Sequence, residues 1–171
     1  MVQRQKAQAV SLAIALAAAV LQCMHIPAED VGLFPGAPLP HRALYPFFHA
    51  NWLHLAVNCW VLLCIAFSYQ VTLPMLLSSY AVAASYPIGA LSFLYAAPPV
   101  PTVGLSGVIY ALLGRYSWQF SCMAGRRLRY HLWFLFFISL GFLFPQSNAW
   151  LHLYCYLLGV GIAQLNRPFS I

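Results

Sequence analysis

Six almost entirely apolar runs divide the chain, separated by short polar, proline-rich or basic segments. They cover approximately residues 7–26, 50–69, 72–95, 104–122, 130–145 and 149–166. A helix needs about 20 apolar residues to cross a bilayer, and fewer where neighbouring protein shelters it. The pattern predicts an all-α polytopic membrane protein, a six-transmembrane-helix bundle in one domain over residues 1–171. Pro74 and Pro87 predict a kink in the third helix.

The composition agrees with a membrane protein. Hydrophobic residues make up 63% of the 171 residues, and charged residues make up only 6%. A soluble domain of this size needs more charges to cover its surface. The net charge of +6 raises the question of nucleic acid. Most of the basic residues lie near the ends of the runs and they form no patch, so we expect no nucleic-acid partner. The five cysteines lie in apolar runs and are interpreted as packing groups.

The basic residues predict the orientation of the bundle. With the N-terminus inside, six of them fall on the cytoplasmic side: Arg4, Lys6, Arg126, Arg127, Arg129 and Arg167. The positive-inside rule therefore predicts that both termini are cytoplasmic. The first run resembles a signal peptide but lacks a small-residue cleavage site, so it is interpreted as a span. Arg115 lies inside the fourth run, where it could face a polar cavity, cap a carbonyl or snorkel to the cytoplasm.

The first loop, at about residues 27–48, is unusually apolar for a loop. It contains five prolines together with several leucines and phenylalanines, as well as both acidic residues of the chain, Glu29 and Asp30. A segment of this composition is not expected to float in water. We predict that it packs against the bundle or the outer leaflet.

A serine between glycines opens the fourth run, in the sequence Gly104-Leu105-Ser106-Gly107. Because successive spans alternate in direction, Ser106 and His152 begin the fourth and sixth spans on the same membrane face. A hydroxyl nucleophile and an imidazole base could then meet, although 46 residues separate them. The alternatives are a small-residue packing motif and a structural histidine. Since both acids are in the first loop, a serine hydrolase here would use a dyad without a carboxylate.

Further polar residues accompany this pair. His54 and Asn58 lie one turn apart on one face of the second run, where their donors could converge on an oxyanion beside the Ser106 backbone N–H. His49 is suited to tying the first loop to that helix, and Tyr110 could stack on the base. A metal or haem site is an alternative for the histidines, and Asn58 alone could join helices. The remaining histidines, His25, His41 and His131, are predicted to be interfacial.

Three segments resemble motifs of the rhomboid family of intramembrane serine proteases. Residues 49–58 resemble its HxxxxHxxxN motif, residues 104–110 its GxSGxxY motif, and His152 with Gly159 its HxxGxxxG motif. The resemblance implies Ser106 as nucleophile, His152 as base, and His54 and Asn58 in the oxyanion hole. It also implies a structural His49, a Tyr110 that packs on His152, no metal or cofactor, and single-pass transmembrane substrates. The basic six-helix bacterial form implies a bacterial inner membrane.

Two departures from the family pattern change what we expect. Cys155 stands at the first glycine of the sixth-run motif, so we expect a modest shift between the fourth and sixth helices. His41-Arg42 stands in place of the family's Trp-Arg pair, one residue closer to His49, so the loop anchor is expected to differ. A catalytically silent client-binding relative and a small transporter or haem protein are the alternative functions. We expect residues 96–103 to contact substrate and the fifth helix to gate access.

Overall fold

The computed structural model describes residues 1–88, 101–119, 124–144 and 147–165, and the regular structure of these residues is helical. Each of the six predicted runs overlaps with one of the longer helices, which confirms the all-α fold. The helices are α1 (Val2–Cys23), α2 (Ala28–Val31), α3 (Leu39–Leu44), α4 (Trp52–Ser68), α5 (Leu73–Ala84), α6 (Ser106–Gln119), α7 (Ala124–Gly141) and α8 (Ala149–Leu165); a 3₁₀ turn, Tyr45–Phe47, follows α3.

The helices differ in how well they match a bilayer by length and composition alone. Among the described residues, α1 is the single helix that is long and apolar enough, with a mean hydropathy of 1.5. The segment Leu39–Phe47 and α4 pass this test as a pair, but they meet at 84°. Helices α5 and α8 are apolar but shorter. Short helices can still lie within a membrane bundle where neighbouring helices shelter their ends.

Helix α5 ends earlier than the sequence predicts. The expected kinked helix over 72–95 stops at Ala84, and residues 89–95 lie outside the described part of the chain. The reason is Pro87, which has no N–H for the carbonyl of Ala83. The Tyr45 hydroxyl donates to that carbonyl at 3.0 Å, and Arg42 Nη1 donates to the carbonyl of Tyr86 at 2.7 Å. The first loop therefore caps the end of α5.

Two other boundaries also differ from the prediction. Helix α1 begins at Val2 instead of residue 7. Helix α7 begins at Ala124 instead of residue 130 and ends at Gly141. In both cases a basic segment that was predicted to precede the span forms its first turns. Arginine and lysine are good helix formers, so these turns continue the apolar helix beyond its hydrophobic part.

Helix α1 packs through small residues and polar caps. Its buried positions are Ala7, Ser11 and Ala18, which allow close approach to α4 and α5. Near its start, Arg4 Nη2 donates to the carbonyl of Phe67 at 3.0 Å. The last carbonyls of a helix lack intrahelical donors. The first turn of α1 therefore stabilises the last turn of α4.

The first loop folds onto the bundle, as its apolar composition predicts. Val31, Leu33, Tyr45 and Phe48 are buried. Leu33 pairs with Thr102 in an isolated antiparallel bridge, with N–O distances of 2.8 and 2.9 Å. The loop therefore reaches the segment that leads into α6.

Helices α6 and α8 make the closest helix contact in the described structure. A Cβ on Gly114 would collide with the carbonyl oxygen of Tyr156, and one on Gly159 would collide with the carbonyl oxygen of Ala111. These two glycines let the backbones touch. Cys155 is fully buried, and its Sγ lies 3.5 Å from the position a Cβ on Gly107 would take. The cysteine thus fits beside a glycine of α6 while the close approach is made elsewhere.

Arg115 is buried and bonds to α5. Its Nη1 donates to the carbonyl of Met75 at 3.0 Å and to the hydroxyl of Ser78. Of the three roles open for it, the structure shows the contact with a carbonyl. Both carboxylates of the sequence are in α2, so neutral oxygens compensate this charge.

Candidate active site

The glycine-rich segment before Ser106 forms a tight turn. Gly104 has φ of +119°, a conformation that other residues rarely adopt. A Cβ there would lie 2.8 Å from Cε1 of His54, so the position also needs the missing side chain. The Gly104 N–H donates to the carbonyl of Tyr45 at 2.9 Å. This turn ends at Ser106, the first residue of α6.

Ser106 and His152 meet as the alternation of spans predicts. The distance between Ser106 Oγ and His152 Nε2 is 2.9 Å, which is a hydrogen bond between the two side chains. The ring of Tyr110, one turn along α6, stacks on the imidazole with centroids 4.5 Å apart and planes inclined by 25°. A serine hydroxyl that bonds a neutral imidazole nitrogen can lose its proton to it. The pair is therefore arranged for nucleophilic chemistry.

The geometry also explains how this pair is held without a carboxylate. Ser106 lies on α6 and His152 on α8, whose backbones touch through Gly114 and Gly159. The ring of Tyr110 packs against one face of the His152 imidazole. Packing against a rigid neighbour restricts the ring in the way that a hydrogen-bonded acid would otherwise do.

His54 and Asn58 lie on the face of α4 that turns toward the Gly104 turn. The His54 ring contacts Gly104, and its backbone N–H is capped by Asn51 Oδ1 at 2.8 Å. Asn58 is buried, and its Nδ2 donates to the carbonyl of His54 at 2.9 Å. That nitrogen carries two N–H groups, and this bond uses one of them.

His49 joins the first loop to the turn before Ser106. Its Nε2 accepts the N–H of Leu105 at 3.4 Å, a long hydrogen bond. Its ring meets that of His54 edge to face at 5.1 Å. In the described residues, no three His, Cys, Asp or Glu side chains come close enough to hold a metal ion. His49 thus contacts the backbone that positions Ser106.

Two residues near this site, Tyr45 and Asn148, were not singled out from the sequence. Tyr45 accepts from Gly104 and bonds Ala83, and Asn148 joins the start of α8 to Thr102. Asn148 was recognisable as a helix cap, because it precedes an apolar run that begins at Ala149. Tyr45 lies in a proline-rich loop, where no periodic pattern distinguishes one aromatic residue from another.

The fold and the site together define a helical membrane bundle in which a serine and a histidine meet on two adjacent helices. The chain matches the family model for the Rhomboid domain over residues 41–168. This match covers most of the chain, and the protein belongs to the rhomboid family. A search of curated proteins finds no match.

Proposed function

We propose that this rhomboid protein is an active intramembrane serine endopeptidase. The observation that carries the proposal is the 2.9 Å hydrogen bond between Ser106 Oγ and His152 Nε2. In the proposed reaction His152 takes the hydroxyl proton while Oγ attacks the carbonyl carbon of a peptide bond. His152 then gives this proton to the leaving amine as the C–N bond breaks. Water, activated by the same imidazole, hydrolyses the acyl-enzyme and restores Ser106.

The negative charge that forms on the carbonyl oxygen needs donors nearby. We assign this role to the Ser106 backbone N–H, the His54 ring and the free N–H of the Asn58 amide. The first backbone N–H groups of a helix have no intrahelical acceptor, and Ser106 begins α6. His54 is supported by its contact with Gly104 and Asn58 by its burial. His49, Gly104, Gly107 and Tyr110 support the nucleophile and the base.

The substrates we propose are single-pass transmembrane proteins. A transmembrane helix hides its carbonyls in backbone hydrogen bonds, so a substrate must unwind locally before cleavage. With both termini cytoplasmic, as the basic residues favour, the starts of α6 and α8 face the outer side, where cleavage would occur. The host membrane would be a bacterial inner membrane. The contact of residues 96–103 with substrate belongs to this proposal, and residues 96–100 lie outside the described part of the chain.

The competing function is a catalytically silent relative that binds membrane clients. Labelling with a fluorophosphonate, which reacts with activated serines, separates the two. The purified protein is compared with Ser106→Ala, with His152→Ala and with the control Ser139→Ala, whose hydroxyl bonds its own helix. If the protein is a protease, we expect labelling of the parent and of Ser139→Ala, and no labelling of the Ser106→Ala and His152→Ala variants.

A second assay covers the case in which the probe does not reach the site. A model transmembrane substrate is reconstituted with the parent or with Ser106→Ala in liposomes. Cleavage by the parent alone supports the proposal. Equal processing by both, or none by either together with an absence of labelling, contradicts it and favours the client-binding function.

A further inference from the structure

A hydrogen bond joins the two segments that precede the reacting residues. Asn148 Nδ2 donates to Thr102 Oγ1 at 3.0 Å. Thr102 lies four residues before Ser106, and Asn148 lies four residues before His152. The bond therefore joins two positions that precede the two residues of the dyad by the same number of residues.

Asn148 is held by more than this bond. Its Oδ1 accepts the N–H of Leu151 at 3.0 Å, so it caps the start of α8. The hydroxyl of Tyr86 donates to the same oxygen at a longer 3.4 Å. The residue is buried. Because Oδ1 is engaged by the helix, the amide NH₂ is aimed at Thr102 with little freedom to turn.

Thr102 is fixed on its other side by the first loop. Its N–H and carbonyl both pair with Leu33. The residues that follow are also held, since Gly104 donates to the Tyr45 carbonyl and Leu105 donates to His49. The path from Thr102 to Ser106 is thus short and anchored, so a displacement of Thr102 would be passed on to the nucleophile.

The glycine contacts lie on the far side of the dyad from this bond. Ala111 and Gly114 follow Ser106 by five and eight residues, which is about 8 to 12 Å along a helix. They hold α6 against α8 deeper in the bundle than the dyad. A contact on that side of the dyad does not prevent the outer ends of the two helices from separating. The Asn148–Thr102 bond lies at those outer ends.

We propose that Asn148 and Thr102 are positioning residues that set the distance between Ser106 and His152. This inference rests on the proposed protease function. The glycine contacts fix the two helices below the dyad, and the hydrogen bond holds them together above it. A displacement of about 1 Å between reacting groups can lower a rate about a hundredfold, so the loss of this bond is expected to slow the chemistry more than it destabilises the fold.

The test uses Thr102→Val, which removes the hydroxyl and leaves the backbone pairing with Leu33. Thr102→Ser retains the hydroxyl, and Thr72→Val is the matched control, because Thr72 precedes α5 and its side chain makes no capping bond. The readouts are the second-order rate of fluorophosphonate labelling and the unfolding midpoint in detergent. We expect labelling of Thr102→Val to be slower by about tenfold or more, with the other two variants close to the parent.

Asn148→Ser provides the second half of the test. Serine is also a good helix cap but is too short to reach Thr102, so α8 keeps its start while the bond is lost. We expect this variant to be as slow as Thr102→Val, and the double variant to be no slower than either, since both remove one interaction.

Three results would overturn the positioning role in a parent that labels. They are a Thr102→Val variant as fast as the parent, a Thr102→Ser variant as slow as Thr102→Val, and additive losses in the double variant. If Thr102→Val fails to fold, the rate of Asn148→Ser decides alone. A parent that neither labels nor cleaves overturns the protease proposal and this inference with it, which distinguishes that failure from the others.

Discussion

The contact between α6 and α8 and the contact of α7 with the rest of the bundle are built in opposite ways. Between α6 and α8 two glycines bring backbone against backbone, and Ser106 and His152 hydrogen-bond across the interface. On α7, Ile138 is the one residue that is fully buried among those the structure describes. Its large exposed side chains are Leu128, Leu132, Trp133, Leu135, Phe136 and Phe137. The serine–histidine pair therefore lies on the tightest interface, and the most loosely packed of the six long helices lies beside it.

Helix α7 makes few side-chain contacts with α8, and two of them lie near its middle. His131 Nδ1 and the Tyr156 hydroxyl are 2.8 Å apart, and the ring of Phe134 lies 5.7 Å from that of Tyr156. His131, predicted to be interfacial, is thus half-buried against α8. Farther along, Trp133 stacks on Phe137 of the same helix. Because these contacts are few, we propose that α7 moves away from α8 to admit substrate.

The largest effect is expected at the glycine contact. In Gly159→Val the new side chain meets the Ala111 carbonyl, and backbone cannot move aside as a side chain can. We expect a loss of about 3 kcal/mol or more in the free energy of unfolding, at the upper end for overpacking, and loss of labelling. The measurement is unfolding in mixed detergent micelles with labelling of Ser106.

Gly161→Val is the control for this substitution. It lies two residues away on the same helix and carries the same change in helix propensity, in which valine is slightly favoured over glycine, but a Cβ at Gly161 meets nothing within 4 Å. Equal losses in the two variants would show that the α6–α8 contact at Gly159 is not the cause of the destabilisation.

The hydrogen bond between α7 and Tyr156 of α8 is expected to affect substrate access more than it affects the dyad. Tyr156→Phe removes the hydroxyl that bonds His131, and also Ser117 of α6, while keeping the ring that contacts Phe134. We expect a loss of about 1 kcal/mol in stability, unchanged labelling by the small probe, and faster cleavage of a transmembrane substrate. Ser139→Ala on the same helix is the control. A parallel fall in labelling and cleavage would place Tyr156 in the support of the dyad instead.

The sequence predicted the features that follow from the order and direction of the helices, and it missed those that depend on a particular contact with a distant segment. The apolar runs and their alternation predicted the helices and the meeting of Ser106 with His152, because direction follows from counting spans. Pro87 predicted a kink in α5 and not its end, because the groups that bond the last carbonyls of the helix, Tyr45 and Arg42, come from a loop about 40 residues earlier. The importance of Gly114 was missed for the same reason: it depends on a carbonyl of another helix.

A smaller effect is expected for Tyr45→Phe, which tests the first loop against the bundle. The hydroxyl bonds the Ala83 carbonyl, and that carbonyl also accepts the N–H of Tyr86 at 3.2 Å. Since one donor remains, we expect a loss of about 1 kcal/mol in unfolding free energy with the labelling rate close to that of the parent. Thermal unfolding in detergent measures the first quantity. A large fall in labelling with unchanged stability would contradict this and make the hydroxyl part of the site's positioning.

An effect on stability without any gain in labelling is also expected at Cys155, the departure from the family pattern. If a glycine there were needed for helix approach, Cys155→Gly would tighten the α6–α8 contact and speed labelling. The closest backbone contacts are instead at Gly114 and Gly159, and Cys155 fills space beside Gly107. We therefore expect no gain in labelling and a loss of about 1 kcal/mol, from the lower helix propensity of glycine and the lost packing. Cys155→Ala separates these two causes, because it removes the sulfur without the propensity cost. Faster labelling of both variants than of the parent would show that the thiol holds the helices of the dyad apart.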